Sequence, residues 1–242
     1  TAYEHAAVLE SCRALEREGY EVTCLRPDRE GNISLEDLER ALRPDTVLVS
    51  MMLVNNELGT LLPVAEAVQA VRRSGCPALF HCDAVQGFLK VPFTPRGLGV
   101  DLLTVSGHKI HAPKGIGALY IRSGLRFPPM MLGGGQEGGL RSGTEATAQI
   151  AAFAAAAKAG RAAMEEDTAR MLELKDRAVS LLQTRVPGLK RIGEGAAPHI
   201  LAVTMPGYKS EVVVRFLSDR GVYVSSGSAC HKGKPSHVYA SL

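Results

Sequence analysis

The sequence predicts an α/β fold in which a mostly parallel sheet is flanked by helices and followed by a smaller α+β domain. The prediction depends on three apolar runs, at residues 46–54, 78–83 and 101–106. Continuous apolar strands are typical of parallel sheets that are covered on both faces. Helical patterns alternate with these runs up to about residue 121, which indicates helical crossovers between parallel strands.

Local patterns define the helices and the main loop. Ser34 is a candidate N-cap for a helix over residues 35–42, whose leucines share one face. A long helical stretch extends over about residues 144–185, and Gly160 predicts a bend or break within it. Residues 122–143 contain two adjacent prolines and seven glycines, so they predict a loop region.

The C-terminal part of the sequence predicts a second, smaller unit. We expect a strand at 200–205, a helix at 210–220 and a short strand at 222–224. Residues 1–143 are therefore assigned to a large domain, and residues 144–242 to a linking helix with part of a small domain.

Composition and charge are those of an ordinary enzyme domain. Of the 242 residues, 45% are hydrophobic and 22% are charged, which is enough apolar material for a substantial core. The formal net charge of +3 comes from mixed rather than clustered charges, so the sequence predicts no nucleic-acid partner. It contains no apolar run of membrane-helix length and no signal peptide, so we expect no membrane association and a cytoplasmic location.

Four of the five cysteines show no functional pattern. They are predicted to lie in helices or strands, and none forms a Cys-x-x-Cys pair. This usage indicates structural thiols in a reducing compartment. The four are Cys12, Cys24, Cys76 and Cys82.

Two groups of opposite charge follow neighbouring apolar runs. Lys109 ends the sequence Ser-Gly-His-Lys at the close of the run at 101–106, and Asp83 ends the run at 78–83. Ligands of open α/β sheets bind beyond the carboxyl ends of the strands, so we expect both side chains in one crevice. In pyridoxal phosphate enzymes a lysine forms a Schiff base with the cofactor, and an acid pairs with the pyridinium nitrogen. Taken alone, Lys109 is also compatible with a surface lysine, and Asp83 with a helix cap.

Two amides extend this group. Asn56 follows the run at 46–54 in the sequence Asn-Asn-Glu, and Gln86 stands three residues after Asp83. Either amide could hydrogen-bond a ring oxygen of such a cofactor, although Asn and Gly after a strand usually mark only a turn. The order and spacing of the three strand-end motifs indicate a cofactor site more strongly than either amide does alone.

With these motifs in this order, the chain resembles the class V, fold-type I pyridoxal phosphate enzymes, and within them the cysteine desulfurases of the iron-sulfur-assembly and nitrogen-fixation branch. The resemblance extends over essentially the whole chain and implies the fold-type I architecture, with the cofactor pyridoxal 5′-phosphate bound by residues 1–143. The motifs that carry it are Glu4-His5, Leu15–Thr23, Asn55–Glu57, His81–Gln86, Ser106–Lys109, Gly133–Glu137, Arg141–Thr144 and Ser225–Cys230.

The resemblance implies a role for each residue around the cofactor ring. Lys109 would form the Schiff base and later remove the substrate Cα proton, and Asp83 would pair with the pyridine nitrogen. Gln86 and Asn56 would contact the ring oxygen. His5 would stack on the ring face, so that it and Lys109 are expected among the catalytic residues.

The resemblance also implies a phosphate site that needs two subunits. Ser106 and His108 match positions that contact the cofactor phosphate. Thr144 matches a position that reaches this phosphate from the neighbouring subunit. The protein is therefore expected to be a homodimer.

Cys230 is the candidate nucleophile, although a free cysteine is more often a small buried apolar residue. It lies among small, polar and basic residues without apolar periodicity, which predicts a flexible loop. His231, Lys232 and Lys234 would favour its thiolate form. The resemblance implies that this thiolate takes sulfur from L-cysteine, so that L-alanine is released, and passes the sulfur to an acceptor such as an iron-sulfur scaffold protein.

Other functions share parts of this pattern. A selenocysteine lyase, or another class V lyase or aminotransferase, would share the cofactor residues and differ at the Cys230 loop. A non-catalytic fragment that only dimerises or binds partners is a further interpretation, because the family has segments before the position of His5 and after that of Leu242 that are expected in a longer enzyme. The glycines at 133–138 formally match a dinucleotide motif, but no suitable strand precedes them. The histidines near Lys109 match no compact zinc spacing, so no metal is predicted.

Overall fold

The computed structural model describes residues 1–227 and 236–242. The helices in these ranges are α1 (Ala6–Arg17), α2 (Leu35–Ala41), α3 (Val64–Arg73), α4 (Pro95–Leu98), α5 (Thr147–Arg185), α6 (Ser210–Ser218) and α7 (His237–Ser241). The strands are β1 (Leu48–Ser50), β2 (Leu79–Asp83), β3 (Leu102–Ser106), β4 (Gly117–Ile121), β5 (Lys190–Arg191) and β6 (Val203–Thr204). Short 3-10 turns cover Gly107–Lys109 and Gln136–Gly139.

Strands β1 to β4 form one sheet and lie side by side in chain order. β1, β2 and β3 are parallel, and β4 returns antiparallel to β3. Helix α3 connects β1 to β2, and α4 connects β2 to β3. The predicted mostly parallel sheet with helical crossovers is confirmed.

The register aligns the strand ends at one edge of the sheet. Asp83, the last residue of β2, lies opposite Thr104 of β3. On the other side of β2, the Leu53 amide donates to the Asp83 carbonyl at 2.9 Å, so the chain continues beside β2 beyond the end of β1. The segments that follow β1, β2 and β3 therefore leave the sheet at the same edge.

The first strand is shorter than its apolar run predicts. After Ser50 the chain bends into a turn, in which Val54 forms a bridge with Leu61 and the Asn55 amide donates to the Thr60 carbonyl at 2.9 Å. Residues 51–54 are nevertheless buried, each at most 4% exposed. The apolar run therefore reflects burial in the core rather than pairing in the sheet.

One apolar core contains buried residues of the sheet and of α3, and it includes side chains of strand β2. Phe80 and Cys82 of β2 are fully buried. Burial of a large apolar side chain contributes roughly 1.5–3 kcal/mol. The buried face of α3 consists of Val64, Ala67, Val68, Ala70 and Val71.

Asp101 joins β2, β3 and α3. Its buried carboxylate accepts hydrogen bonds from the Phe80 amide at 2.7 Å and from the guanidinium groups of Arg72 at 2.5 Å and Arg122 at 2.6 Å. Burial opposes its ionisation, but these donors together hold the pKa of Asp101 below its ordinary value. The start of β3 is thereby fixed against β2, which supports the register at the opposite end of both strands.

Two helix predictions have different outcomes. The Ser34 side chain accepts a hydrogen bond from the Asp37 amide at 3.1 Å at the start of α2, as an N-cap does. Helix α5 is not broken at Gly160. A Cβ atom at Gly160 would lie 2.9 Å from Leu89 Cδ1, so the glycine serves close packing rather than a break.

The C-terminal part of the chain has less regular structure than predicted. β5 and β6 form a two-stranded antiparallel pair, and β6 covers only two residues of the strand expected at 200–205. The strand predicted at 222–224 is wrong, since these residues form no strand and Tyr223 is 82% exposed. In the described structure no strand lies beside residues 222–224, so these β-forming residues have no partner for backbone hydrogen bonds. The domain boundary at residue 143 stays a prediction.

The four described cysteines are free thiols. Cys12 lies in α1 and Cys82 in β2, as predicted, but Cys24 and Cys76 lie in irregular segments, so the prediction is wrong for those two. Cys76 follows the turn at the end of α3, and its thiol contacts the Arg43 carbonyl at 3.4 Å. No helix of residues 1–227 and 236–242 is long and apolar enough to cross a bilayer.

Candidate active site

Asp83 is a buried carboxyl group at the end of β2, and it is 9% exposed. Its Oδ1 accepts a hydrogen bond from the Val85 amide at 2.9 Å. Burial raises the pKa of Asp83 to about 6, against the effect of the Val85 amide and with a further contribution from the charge of Glu4. A ligand group with a positive charge would therefore be well placed here, because it would favour the ionised carboxylate.

Lys109 ends the 3-10 turn that follows β3, and its side chain is exposed. The turn is tight, since a Cβ atom on Gly107 would lie 2.8 Å from Ile116 Cγ2. On the other side of Lys109, Ile110 is buried. The backbone at Lys109 is thus fixed between the buried Gly107 and Ile110, while its side chain is accessible to a ligand at the sheet edge.

Ser106 and His108 meet at the end of β3. The Ser106 hydroxyl and His108 Nδ1 are 2.7 Å apart. Thr144, in contrast, is exposed in the segment that precedes α5. The structure therefore brings two of the three predicted phosphate contacts together within the chain, and the third faces outward.

The turn after β1 is built by Asn55, a role that the sequence analysis did not assign. Its Oδ1 accepts hydrogen bonds from the amides of Glu57 and Leu58, both at 2.9 Å. Its Nδ2 donates to the Tyr3 carbonyl at 3.1 Å. Asn55 thereby shapes the turn on which Asn56 lies. Asn56 Oδ1 is buried and has no hydrogen-bond partner within the part of the chain that the structure describes.

His5 caps helix α1 near the same edge. Its Nδ1 accepts a hydrogen bond from the Ala7 amide at 3.2 Å. The neighbouring Glu4 accepts from the Met52 amide at 2.9 Å, so the residues before His5 are fixed to the segment that follows β1. His5 is half-buried.

Gln86 contacts a histidine that the sequence analysis missed. Gln86 Oε1 and His199 Nε2 are 3.3 Å apart, although 113 residues separate them in the chain. Burial lowers the pKa of His199 to about 4, and the positive charges of Lys90, Lys175 and Lys109 act in the same direction. The sequence signal for His199 is weak, because it is a single histidine between Pro198 and an apolar run.

Cys230 lies outside the described residues, but both flanks of its segment meet at the turn after β1. The Ser236 hydroxyl donates to Glu57 Oε2 at 2.6 Å. A Cβ atom on Gly227 would lie 3.5 Å from the same oxygen and 3.6 Å from Ser236 Cβ. The chain therefore enters and leaves the segment that contains Cys230 beside Glu57, one residue after Asn56.

The structure thus gathers most predicted site residues around one sheet edge, and their assigned roles stay predictions. Asn56 follows β1, Asp83 and Gln86 end or follow β2, and Ser106, His108 and Lys109 end or follow β3. His5 comes directly after Glu4, which is bonded to the segment that follows β1. In the described ranges, no three His, Cys, Asp or Glu side chains are grouped so that they could hold a metal ion.

Comparison with known proteins identifies the family. The sequence profile of aminotransferase class V matches residues 1–242. The chain belongs to the class V aminotransferase family. Among its relatives, a cysteine desulfurase of Nostoc sp. is 40% identical over 246 residues, which is all of this chain and 61% of the relative.

Solved structures share the fold of this chain. A NifS-like protein superposes with a TM-score of 0.91 at 37% identity, over 100% of this chain and 64% of the other. A second structure, described as SspA in complex with cysteine, gives a TM-score of 0.82 at 33% identity, over 100% of this chain and 67% of the other. The chain spans about three fifths of the length of the curated relative that it matches.

Proposed function

We propose that this class V protein is a pyridoxal phosphate-dependent cysteine desulfurase, which converts L-cysteine to L-alanine and leaves a persulfide on Cys230. The observation that carries the proposal is the register of β2 and β3, in which Asp83 pairs with Thr104, five residues before Lys109. An acid and a lysine thus follow adjacent strand ends. The proposal is supported by a relative named cysteine desulfurase and by a structural neighbour described in complex with cysteine.

The residues at this edge fit the cofactor. The buried Asp83 carboxyl suits a protonated ring nitrogen, and the Ser106 hydroxyl beside the exposed His108 suits an anionic phosphate. The buried Asn56 amide, whose Oδ1 has no partner in the described chain, suits a polar ring substituent. We propose that the group is held by Lys109, Asp83, Gln86, Asn56, His5, Ser106 and His108, with Thr144 of the partner subunit at the phosphate.

The first chemical step is proton removal from the substrate. When bound, pyridoxal phosphate supplies an aldehyde that holds the substrate amine and a ring that accepts the electron pair released at Cα. Lys109 takes the Cα proton as general base once substrate has displaced its amine. Asp83 keeps the ring nitrogen protonated, and His5 covers one face of the site.

The second step transfers sulfur to the protein. The Cys230 thiolate attacks the substrate sulfur, so that an S–S bond forms while the substrate C–S bond breaks. The carbon skeleton keeps the electron pair and is released as L-alanine after protonation. One cysteine and one thiol therefore give one alanine and one persulfide, and no external oxidant is needed.

We further propose a homodimer that acts in the cytoplasm and delivers the persulfide sulfur to an acceptor, such as an iron-sulfur scaffold protein. The exposure of Thr144 is compatible with a contact to a second subunit. The free thiols of the described chain are typical of a reducing compartment.

Two substitutions with matched controls test the proposed function. Lys109→Ala should remove the visible absorption band that pyridoxal phosphate gives with the protein, whereas Lys114→Ala, a lysine on the same loop, should retain it. Cys230→Ala should retain the band and lose persulfide and alanine formation, whereas Cys24→Ala, at an exposed free thiol, should retain both. Sulfide release by both Lys109→Ala and Cys230→Ala, or turnover of L-selenocysteine with none of L-cysteine, would contradict the proposal.

A further inference from the structure

His199 has no part in the reaction proposed above, yet it lies against one of the proposed cofactor contacts. Its Nε2 is 3.3 Å from Gln86 Oε1. Its Nδ1 is buried and has no hydrogen-bond partner among residues 1–227 and 236–242. His199 as a whole is half-buried, but its buried Nδ1 without a partner requires an explanation, because unpaired buried groups are costly.

The backbone on both sides of His199 is fixed to the turn after β1. The Ala197 amide donates to the Gly59 carbonyl at 2.8 Å, and Lys175 Nζ donates to the Ala197 carbonyl at 2.5 Å. On the other side, Ile200 packs against Gly59, where an added Cβ would lie 2.9 Å from Ile200 Cβ. His199 is therefore held in place by the same turn that carries Asn56, and its contact with Gln86 is supported from both flanks.

The protonation state of His199 determines which atom donates in the hydrogen bond between His199 Nε2 and Gln86 Oε1. Burial lowers the pKa of His199 to about 4, with the charges of Lys90, Lys175 and Lys109 in support, so the ring is neutral near pH 7. A neutral imidazole carries a single N–H. Because Gln86 presents its carbonyl oxygen, which only accepts, that N–H belongs on Nε2.

We propose that His199 is a positioning residue, which donates from Nε2 to Gln86 Oε1 and thereby turns the Gln86 amino group toward the cofactor ring oxygen. This inference rests on the proposed function for the presence of the cofactor. A ring oxygen accepts hydrogen bonds, and of the two ends of an amide only the amino group can donate. With its carbonyl occupied by His199, Gln86 has its donor end available to the ligand.

The hydrogen bond can be tested without cofactor. In the full chain labelled with ¹⁵N, NMR should report the Nε2–H tautomer for His199 at pH 7.5. His199→Leu should shift the side-chain amide resonances of Gln86, and His199→Gln, whose amide nitrogen can take the place of the ring Nε2–H, should restore them in large part. The Nδ1–H tautomer, or unchanged Gln86 resonances in His199→Leu, would overturn the inference.

The consequence for ligand binding is tested by titration with pyridoxal phosphate, followed by the visible absorption of the bound cofactor. Loss of one neutral hydrogen bond predicts that His199→Leu weakens binding by roughly threefold to tenfold. His199→Gln should recover most of the affinity. In a Gln86→Leu background, His199→Leu should have little further effect, because the group that it positions is gone.

The outcomes separate this inference from the proposed function. Additive losses in the double variant, or an unchanged affinity in His199→Leu, would overturn the positioning role while the cofactor site stands. If the unaltered chain binds no pyridoxal phosphate, the proposed function fails, and the role of His199 toward the ring oxygen fails with it. The tautomer and the Gln86 resonances would still show whether the His199–Gln86 hydrogen bond exists.

Discussion

The ionised carboxylate of Asp83 destabilises the folded protein, although the proposed function requires it. Its pKa is raised by burial from 3.8 to about 6, so the folded state binds its proton more tightly than the unfolded state does. Below about pH 4 Asp83 is protonated in both states, and it then does not lower the free energy of unfolding. As the pH rises from about 4 to about 6 the free energy of unfolding falls, and above pH 6 the full cost of the buried charge remains. A cationic ring nitrogen at this position would remove that cost.

Asp83→Asn should therefore stabilise the cofactor-free protein at pH 7.5, by about 1–3 kcal/mol in the free energy of unfolding. The gain should shrink toward zero near pH 4, where the carboxyl of the unaltered protein is neutral. Urea unfolding between pH 4 and pH 8 measures this difference. The same variant should lose pyridoxal phosphate binding, because a neutral amide cannot hold the ring nitrogen protonated.

Asp28 provides a control of opposite sign. Backbone and side-chain hydrogen bonds from Asn32, with the Glu30 amide, outweigh slight burial and hold the pKa of Asp28 below its ordinary value. Asp28→Asn should lower the free energy of unfolding at pH 7.5, since the ionised form is the one these donors favour. An equal response of both variants to pH would contradict the argument for Asp83.

The individual residues that could be predicted are those next to long apolar runs. Asp83 and Lys109 could be assigned to one crevice because strand ends of a parallel sheet share an edge. The roles of His199 and Asn55 could not be predicted from sequence, because their hydrogen-bond partners depend on how distant segments pack. The Gln86 partner of His199 is 113 residues away, and Asn55 looks like any other turn residue until its contact with Tyr3 is known.

Among the structural elements, the turn after β1 has the largest influence on the site. It carries Asn56 and Glu57, and Gly59 at its end adopts a positive φ of 71° beneath Ile200. The segment that bears His199 docks on this turn, and both flanks of the Cys230 segment meet at Glu57. One turn thus connects the predicted cofactor residue Asn56 to two distant parts of the chain.

Gly59→Ala should lower the free energy of unfolding by roughly 2–4 kcal/mol, because a left-handed backbone conformation and a contact with Ile200 are both unfavourable for alanine. It should also weaken pyridoxal phosphate binding by displacing the His199 segment. The control is Gly75→Ala, which has a similar φ of 73° but no atom within 4 Å of the added Cβ. That variant should cost only about 1–2 kcal/mol and leave cofactor binding unchanged. Equal effects in urea unfolding would contradict the packing role of Gly59.

The errors in predicting elements have physical causes. The run at 46–54 is apolar because the core surrounds it, yet only Leu48–Ser50 pair as a strand. The stretch at 222–224 has β-forming residues without a paired neighbour in the described structure. Gly160 predicts a bend or break on propensity alone; the helix is not broken there, and close packing against Leu89 explains the glycine. Burial and the presence of a pairing strand determine whether these residues form regular elements. A local sequence pattern carries no information on either.

The whole molecule is expected to be a dimer in which each site uses both subunits. Lys109 and Thr144 would then contribute to a given site from different chains. Lys109→Ala and Thr144→Ala homodimers should each have low desulfurase activity. When the two variants are unfolded and refolded together, mixed dimers should form with one intact site, since one subunit supplies Lys109 and the other Thr144.

The recovery should approach one quarter of the activity of the unaltered protein, because about half of the dimers are mixed and each has one of its two sites intact. Activity in the mixture that equals the average of the two variants would contradict a shared site. Sedimentation of the mixture checks that dimers are present.

The proposed function requires that this chain move sulfur from L-cysteine to Cys230 with the help of pyridoxal phosphate. The most direct measurement is to incubate the protein with pyridoxal phosphate and a limiting amount of L-cysteine, and to quantify alanine and the mass of the Cys230 peptide. We expect one alanine for each sulfur added to Cys230. Alanine without added mass at Cys230, or a cofactor band without alanine, would contradict the proposed function.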